Sequence, residues 1–198
     1  MKDFLPAGAG RRSSGMKKPG TPRAVFLTGF MGAGKSSTGR ALARRLGWDF
    51  MDLDRHIEKQ EGTSIARIFE QRGEVGLRKA EAAALRNMIA ELKPSRPAVV
   101  ALGGGTLTIA GNRRRLRRHG GALVFLDAPL STLLNRCRRM GRRRPLFADP
   151  RQFRQLYQAR LPQYRRAAIR ISTWRKHPKT VAAKVAAALG LGPRQEVR

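Results

Sequence analysis

From Ala24 onward, short apolar runs alternate with stretches of helical pattern. The runs are Ala24 to Thr28, Asp49 to Asp52, Ala98 to Leu102, Ala122 to Asp127 and Ile169 to Thr173. Between them the pattern predicts helices over Lys35 to Leu46, Asp54 to Glu61, Ser64 to Gln71, Glu74 to Leu92, Asn112 to His119, Leu130 to Arg139, Asp149 to Arg166 and Pro178 to Leu189. Thr63 is the expected N-cap of the Ser64 helix, and Gly73 divides that helix from the next. Strands alternating with helices argue for βαβ units and a parallel sheet, and five strands suffice for a doubly wound one. The predicted fold class is therefore α/β, with one domain over residues 24–190.

In such a sheet, ligands bind beyond the carboxyl ends of the strands. After the first run comes Gly29-Phe-Met-Gly-Ala-Gly-Lys-Ser36, which matches G-x-x-x-x-G-K-[ST] between a predicted strand and a predicted helix. That context matters more than the letters. Glycines let the backbone curl with its N–H groups pointing at a phosphate, and the following helix adds the positive end of its dipole. Gly32, Ala33, Gly34, Lys35, Ser36 and Ser37 are the expected phosphate cradle, with Lys35 on the β- and γ-phosphates and the Ser36 hydroxyl on Mg²⁺.

The second run ends in Asp52-Leu-Asp54. On an extended segment, carboxylates at i and i+2 share a face, so one can hold Mg²⁺ through water while the other accepts a proton from an attacking hydroxyl. Asp54 is alternatively the N-cap of a helix beginning at Arg55. After the third run stand Gly103, Gly104 and Gly105, costly in a strand and suited to close approach of backbone N–H groups to a ligand, or else to a flexible turn. The fourth run ends at Asp127, a competitor of Asp52 for the metal. Pro129 follows closely, which makes loop and cap duty the better use of Asp127.

Charge changes the picture more than composition does. With 42 Lys and Arg against 13 Asp and Glu, the formal net charge of +29 would attract polyanions, or reflects Arg spread over solvated faces. Residues 1–23 read as a disordered basic extension without a secretory apolar core, and 191–198 as a tail. The single cysteine, Cys137, excludes an intramolecular disulfide, and no Cys/His cluster has metal-ligand spacing. Apolar runs are strand-sized, so no membrane span is expected. A cytoplasmic protein is the reading that follows.

Three arginines separate from this background. Arg78 has Glu81 at i+3 to orient it, Arg144 sits before Pro145 in a polar segment, and Arg160 precedes Pro162, which should bend its helix. Two guanidiniums in one site suit a small acidic substrate.

With these pieces placed, the chain from about Ala24 to Leu189 resembles shikimate kinase, one of the nucleoside-monophosphate-kinase-like P-loop kinases. The resemblance is carried by the phosphate loop, Asp52-Leu-Asp54, Ser64-Ile-Ala-Arg-Ile-Phe69, Gly73-Glu-Val-Gly-Leu-Arg78 with Glu81, Leu102-Gly-Gly-Gly105, Arg144-Pro-Leu146 and Arg160-Leu-Pro-Gln-Tyr164. It implies a three-layer P-loop kinase fold with a five-stranded parallel sheet flanked by helices, substrate-binding helices over about 54–92 and a lid over about 141–149. The implied reaction moves the ATP γ-phosphate to the 3-hydroxyl of shikimate, giving shikimate 3-phosphate for chorismate synthesis, with Mg²⁺ as cofactor. Lys35, Asp54 and Arg144 would be catalytic, and Asp54 would hold the reacting hydroxyl. Arg78 and Arg160 would bind the substrate carboxylate beside Gly103, Gly104 and Gly105. Ser36 and Asp52 would attend Mg²⁺, and Arg144, Lys176 and Arg136 would lie on the nucleotide side. Leu77 stands where the family usually has Phe, and Gln163 where it usually has Leu. A monomer without membrane or specific nucleic-acid partner is expected. The alternatives are a kinase of another small hydroxy acid such as gluconate and a nucleic-acid-associated P-loop ATPase.

Overall fold

The computed structural model describes residues 22–93, 95–139 and 149–192. Residues 141–148 of the lid expected over about 141–149, Arg144 among them, lie outside the described residues, as do residues 1–21 and 193–198. Five strands form one parallel sheet: β1 (Ala24–Thr28), β2 (Asp49–Asp52), β3 (Ala98–Ala101), β4 (Ala122–Asp127) and β5 (Ile169–Ser172), in the order β2-β3-β1-β4-β5. Burial follows that order. Each residue of β1 and β3 is buried, whereas β2 and β5, at the edges, are exposed or half-buried along their length. Near-continuous apolar runs are what a sheet covered on both faces requires of its central strands. Because β1 lies between β3 and β4, the chain turns one way after β1 and the other way after β3. The crevice at that switch point lies beyond the end of β1, where the phosphate loop stands.

Among the described residues seven helices flank the sheet: α1 (Lys35–Leu46), α2 (Leu53–Glu61), α3 (Ile65–Glu91), α4 (Ala110–His119), α5 (Leu130–Arg139), α6 (Pro150–Tyr164) and α7 (Pro178–Ala188). A 3₁₀ turn spans Thr106–Thr108. None of the described helices is long and apolar enough to cross a membrane. The two expected helices on either side of Gly73 run on as α3, but Gly73 itself is non-helical, at φ 62° and ψ −169°, so the helical path breaks there. The cap of α3 is Ser64, whose hydroxyl accepts from Arg67 N–H, rather than Thr63. Helix α6 continues through Pro162 to Tyr164. Phe26, Phe30, Phe125, Phe153 and Tyr164 are the bulkiest aromatic side chains in the core. Phe30 belongs to the phosphate loop and meets the rings of Phe153 and Tyr157 on α6 edge-on at 5.0 and 5.3 Å. The core thus reaches up to the site and fixes α6 against the loop.

Candidate active site

On one side of the crevice the backbone does most of the shaping. Gly34 caps α1 in the left-handed region, at φ 86°, and no side chain occupies the cap, so the first N–H groups of the helix face outward. Gly32 has φ 78°, and a Cβ there would press on Cys137 Sγ and the Leu133 carbonyl oxygen, each at 2.9 Å. Lys35 Nζ donates to the carbonyls of Gly29 and Phe30, at 2.9 and 3.3 Å, and so lies within the curl of its own loop. Ala33 is buried, Ser36 half-buried and Ser37 exposed.

Arg136 braces this loop from below. Its guanidinium donates to the Gly32 carbonyl at 3.2 Å, the Thr173 hydroxyl at 3.1 Å and the Thr173 carbonyl at 2.8 Å. One side chain thereby ties the phosphate loop to the connection after β5. Lys176 is half-buried on that same connection, its N–H directed to Thr173 O at 3.4 Å.

Across the crevice, charged side chains from three helices converge on the glycine triplet. Above Gly103, the position of an absent Cβ lies 2.6 Å from Glu81 Oε1, 3.0 Å from Asp54 Oδ1 and 3.1 Å from Thr106 Oγ1. Above Gly104 it lies 3.5 Å from an Arg160 guanidinium nitrogen, and above Gly105 it falls on the Arg78 guanidinium. The three glycines form the floor of an ionic cluster, and the room they leave is filled by site side chains. The atoms that approach the triplet closely are side chains of the protein itself, not the backbone-to-ligand contact expected of the glycines. The chain after the triplet does not stay loose: Thr106 N–H bonds Gly103 O and Thr108 N–H bonds Gly105 O.

The cluster is held by charge and by one phenol. Arg78 donates to Glu81 and, one helical turn back, to Glu74, at 2.5 and 2.8 Å. Glu81 is 3% exposed, and its carboxyl is raised above the ordinary range by burial, against the pull of Arg78. Burial lowers Arg78 but its two glutamates outweigh it, so the guanidinium is raised. Arg160 is lowered, first by burial and also by the like charge of Arg78. Tyr164 donates to the Gly104 carbonyl at 2.5 Å, and burial raises its phenol. Glu81 and Tyr164 are buried members of the cluster that the expected site residues do not include. Glu81 was legible as a partner of Arg78; Tyr164 gave no signal beyond its place in the Arg160 segment.

The structure corrects two readings of the acidic residues. Asp52 and Asp54 are not an i, i+2 pair on a strand: β2 stops at Asp52, whose Oδ1 accepts from Asp54 N–H at 3.2 Å, and α2 starts at Leu53. The cap is Asp52, and Asp54 sits in the first helical turn. The carboxylate of Asp127 accepts from Arg170 Nε at 3.0 Å and from a terminal guanidinium nitrogen at 2.5 Å. That ion pair joins the end of β4 to the edge strand β5, in place of the loop and cap duty expected of Asp127. A hard divalent cation takes oxygen ligands and keeps several waters. The Ser36 hydroxyl beside the phosphate loop and the second oxygen of Asp52, which bonds nothing among the described residues, fit that donor set.

Comparison with known proteins gives one consistent answer. The shikimate kinase family model matches residues 31–190. A shikimate kinase of Persephonella marina is 37% identical over 163 residues, covering 82% of this chain and 96% of that protein. One of Ruegeria pomeroyi is 44% identical over 148 residues, covering 73% of each. The structure of Acinetobacter baumannii shikimate kinase in complex with shikimate superposes with a TM-score of 0.78 at 34% identity, over 91% of this chain and 97% of that one. A gluconokinase from Sinorhizobium meliloti, at 21% identity and a TM-score of 0.55, shares the fold.

Proposed function

The chain belongs to the shikimate kinase family, and from this we infer that it transfers the γ-phosphate of ATP to the 3-hydroxyl of shikimate, giving shikimate 3-phosphate and ADP. The observation that carries the substrate assignment is the ionic cluster on Gly103, Gly104 and Gly105, where two guanidiniums and the Asp54 carboxylate share one end of the sheet with the phosphate loop. Shikimate offers the complement: a carboxylate for the arginines and a hydroxyl for the aspartate.

Phosphoryl transfer asks a protein chiefly for positioning and charge compensation. Gly32, Ala33, Gly34, Ser36 and Ser37 present backbone and hydroxyl groups to the phosphates, and Lys35 compensates the β- and γ-phosphate charge. Arg78, already oriented by Glu81 and Glu74, and Arg160 grip the carboxylate with directed hydrogen bonds. That grip presents the 3-hydroxyl to Asp54, which aligns it and takes its proton late. Mg²⁺, when bound, would be held by Ser36 and through water by Asp52, and would neutralise charge on the phosphates. Lys176 contributes positive potential on the nucleotide side. Arg136 acts there indirectly, since its guanidinium already spans three protein acceptors.

A coupled ADP-release assay with shikimate, shikimate methyl ester and gluconate tests this reading. Turnover with shikimate alone is the expected result. Equal turnover with the ester would remove the carboxylate grip, and turnover with gluconate instead of shikimate would reassign the acceptor.

A further inference from the structure

Tyr164 reaches both halves of the site. Its ring is 1% exposed, stacks on Phe125 at 5.5 Å and meets Phe30 of the phosphate loop at 6.5 Å. Its hydroxyl donates to the Gly104 carbonyl. A phenol has one proton to give, so the oxygen is left as an acceptor, and the Arg160 guanidinium, one helical turn earlier on α6, stands beside it: a guanidinium nitrogen and the phenol oxygen lie 3.5 and 4.0 Å from the same point above Gly104. The Arg160 guanidinium, the Tyr164 hydroxyl and the Gly104 carbonyl thus meet over one glycine.

The two arginines of the cluster are therefore supported differently. Arg78 is oriented by carboxylates, which also cancel its charge. Arg160 is 5% exposed and has a neutral phenol beside it. A carboxylate in that role would compete with a carboxylate ligand, whereas a phenol orients the guanidinium and leaves its charge to act on an anion. We propose that Tyr164 is a positioning residue for the acceptor: it sets the Arg160 guanidinium and the Gly104 backbone in the geometry that receives the substrate carboxylate. This rests on the reading of Arg160 as a carboxylate ligand.

Tyr164→Phe removes the hydroxyl and keeps the ring against Phe30 and Phe125. The expected result is a KM for shikimate raised about tenfold, the effect of a hydrogen bond to a charged group. The kcat and the KM for ATP should stay within about twofold of wild type, since the ring packing that the donor loop feels is preserved. An unchanged KM for shikimate would overturn the proposal, and so would an equal rise in both KM values, which marks general loss of packing. A double-mutant cycle keeps the test sharp if the variant is less stable. On an Arg160→Ala background, Tyr164→Phe should lose most of its effect on kcat/KM, keeping only the part exerted through Gly104, while a full additional loss would overturn action through Arg160. If the wild-type protein fails to phosphorylate shikimate, the reading of Arg160 falls with it. If wild type is active and Tyr164→Phe matches it, this proposal alone falls.

Discussion

The donor and acceptor halves of the crevice are built by opposite means. The donor half is one contiguous strand, loop and helix, shaped by left-handed glycines and open helix N–H groups, with Arg136 bracing it from elsewhere in the chain. The acceptor half is assembled from α2, α3, the end of β3 and α6, and is held by side-chain charge packed on three glycines. A phosphate can be bound by backbone almost anywhere that a loop precedes a helix. Recognition of a particular hydroxy acid needs groups placed in three dimensions by the whole fold, which is why its residues come from distant segments.

Removing one charged group from each half should break the comparison most strongly. Asp54→Asn is expected to lower kcat by about 10²–10⁴-fold, the range for loss of a positioned acid or base, with ATP binding nearly unchanged. Lys35→Ala should also abolish turnover, but with weakened ATP binding; nucleotide titration distinguishes the two. If Asp54→Asn retained substantial activity, the acceptor hydroxyl would have to be assigned to another group. Next in size, Arg160→Ala should weaken shikimate binding by about 2–5 kcal/mol, a range that includes the cost of leaving its partner groups unpaired. Normal shikimate affinity in that variant would place the carboxylate elsewhere.

Smaller substitutions sharpen the contrast. Gly103→Ala places a methyl 2.6 Å from Glu81 Oε1 and 3.0 Å from Asp54 Oδ1, so it should impair shikimate kinetics and spare the KM for ATP. Gly32→Ala meets a backbone carbonyl at 2.9 Å and an unfavourable φ, a strain of about 1–3 kcal/mol, and should do the reverse. Matched effects on both substrates in both variants would dissolve the division into halves. The smallest effect concerns pH. Glu81 is raised above its ordinary 4.5 by burial, so its contribution to stability is full below that value and declines as the pH rises toward the folded-state value. Thermal melts from pH 4 upward should lose that declining component in Glu81→Gln; an unaltered slope would count against a buried, raised carboxyl.

What the sequence made legible follows the same division. Strand, loop and helix around Gly29 to Ser36 were readable because the pattern is local, and β1 and α1 start and stop where it places them. Asp54, Arg78, Arg160 and the glycine triplet were nameable from the family resemblance, but their meeting was not readable from periodicity. The role of Tyr164 depends on Gly104, 60 residues away, and that of Arg136 on Gly32, 104 residues away. Likewise Asp127 could be weighed against Asp52 by its neighbours in sequence, yet Arg170, 43 residues on, settles its partner. The start of α2 was misread by one residue because Asp52 and Asp54 are both good caps, and the structure uses the first.

The central claim is tested most directly by product analysis. Purified protein incubated with ATP, Mg²⁺ and shikimate should yield ADP and shikimate 3-phosphate in equal amounts, identified by mass and by phosphorus–proton coupling at the 3-position. ATP hydrolysis without a phosphorylated acid, or a phosphate on another hydroxyl, would contradict the account.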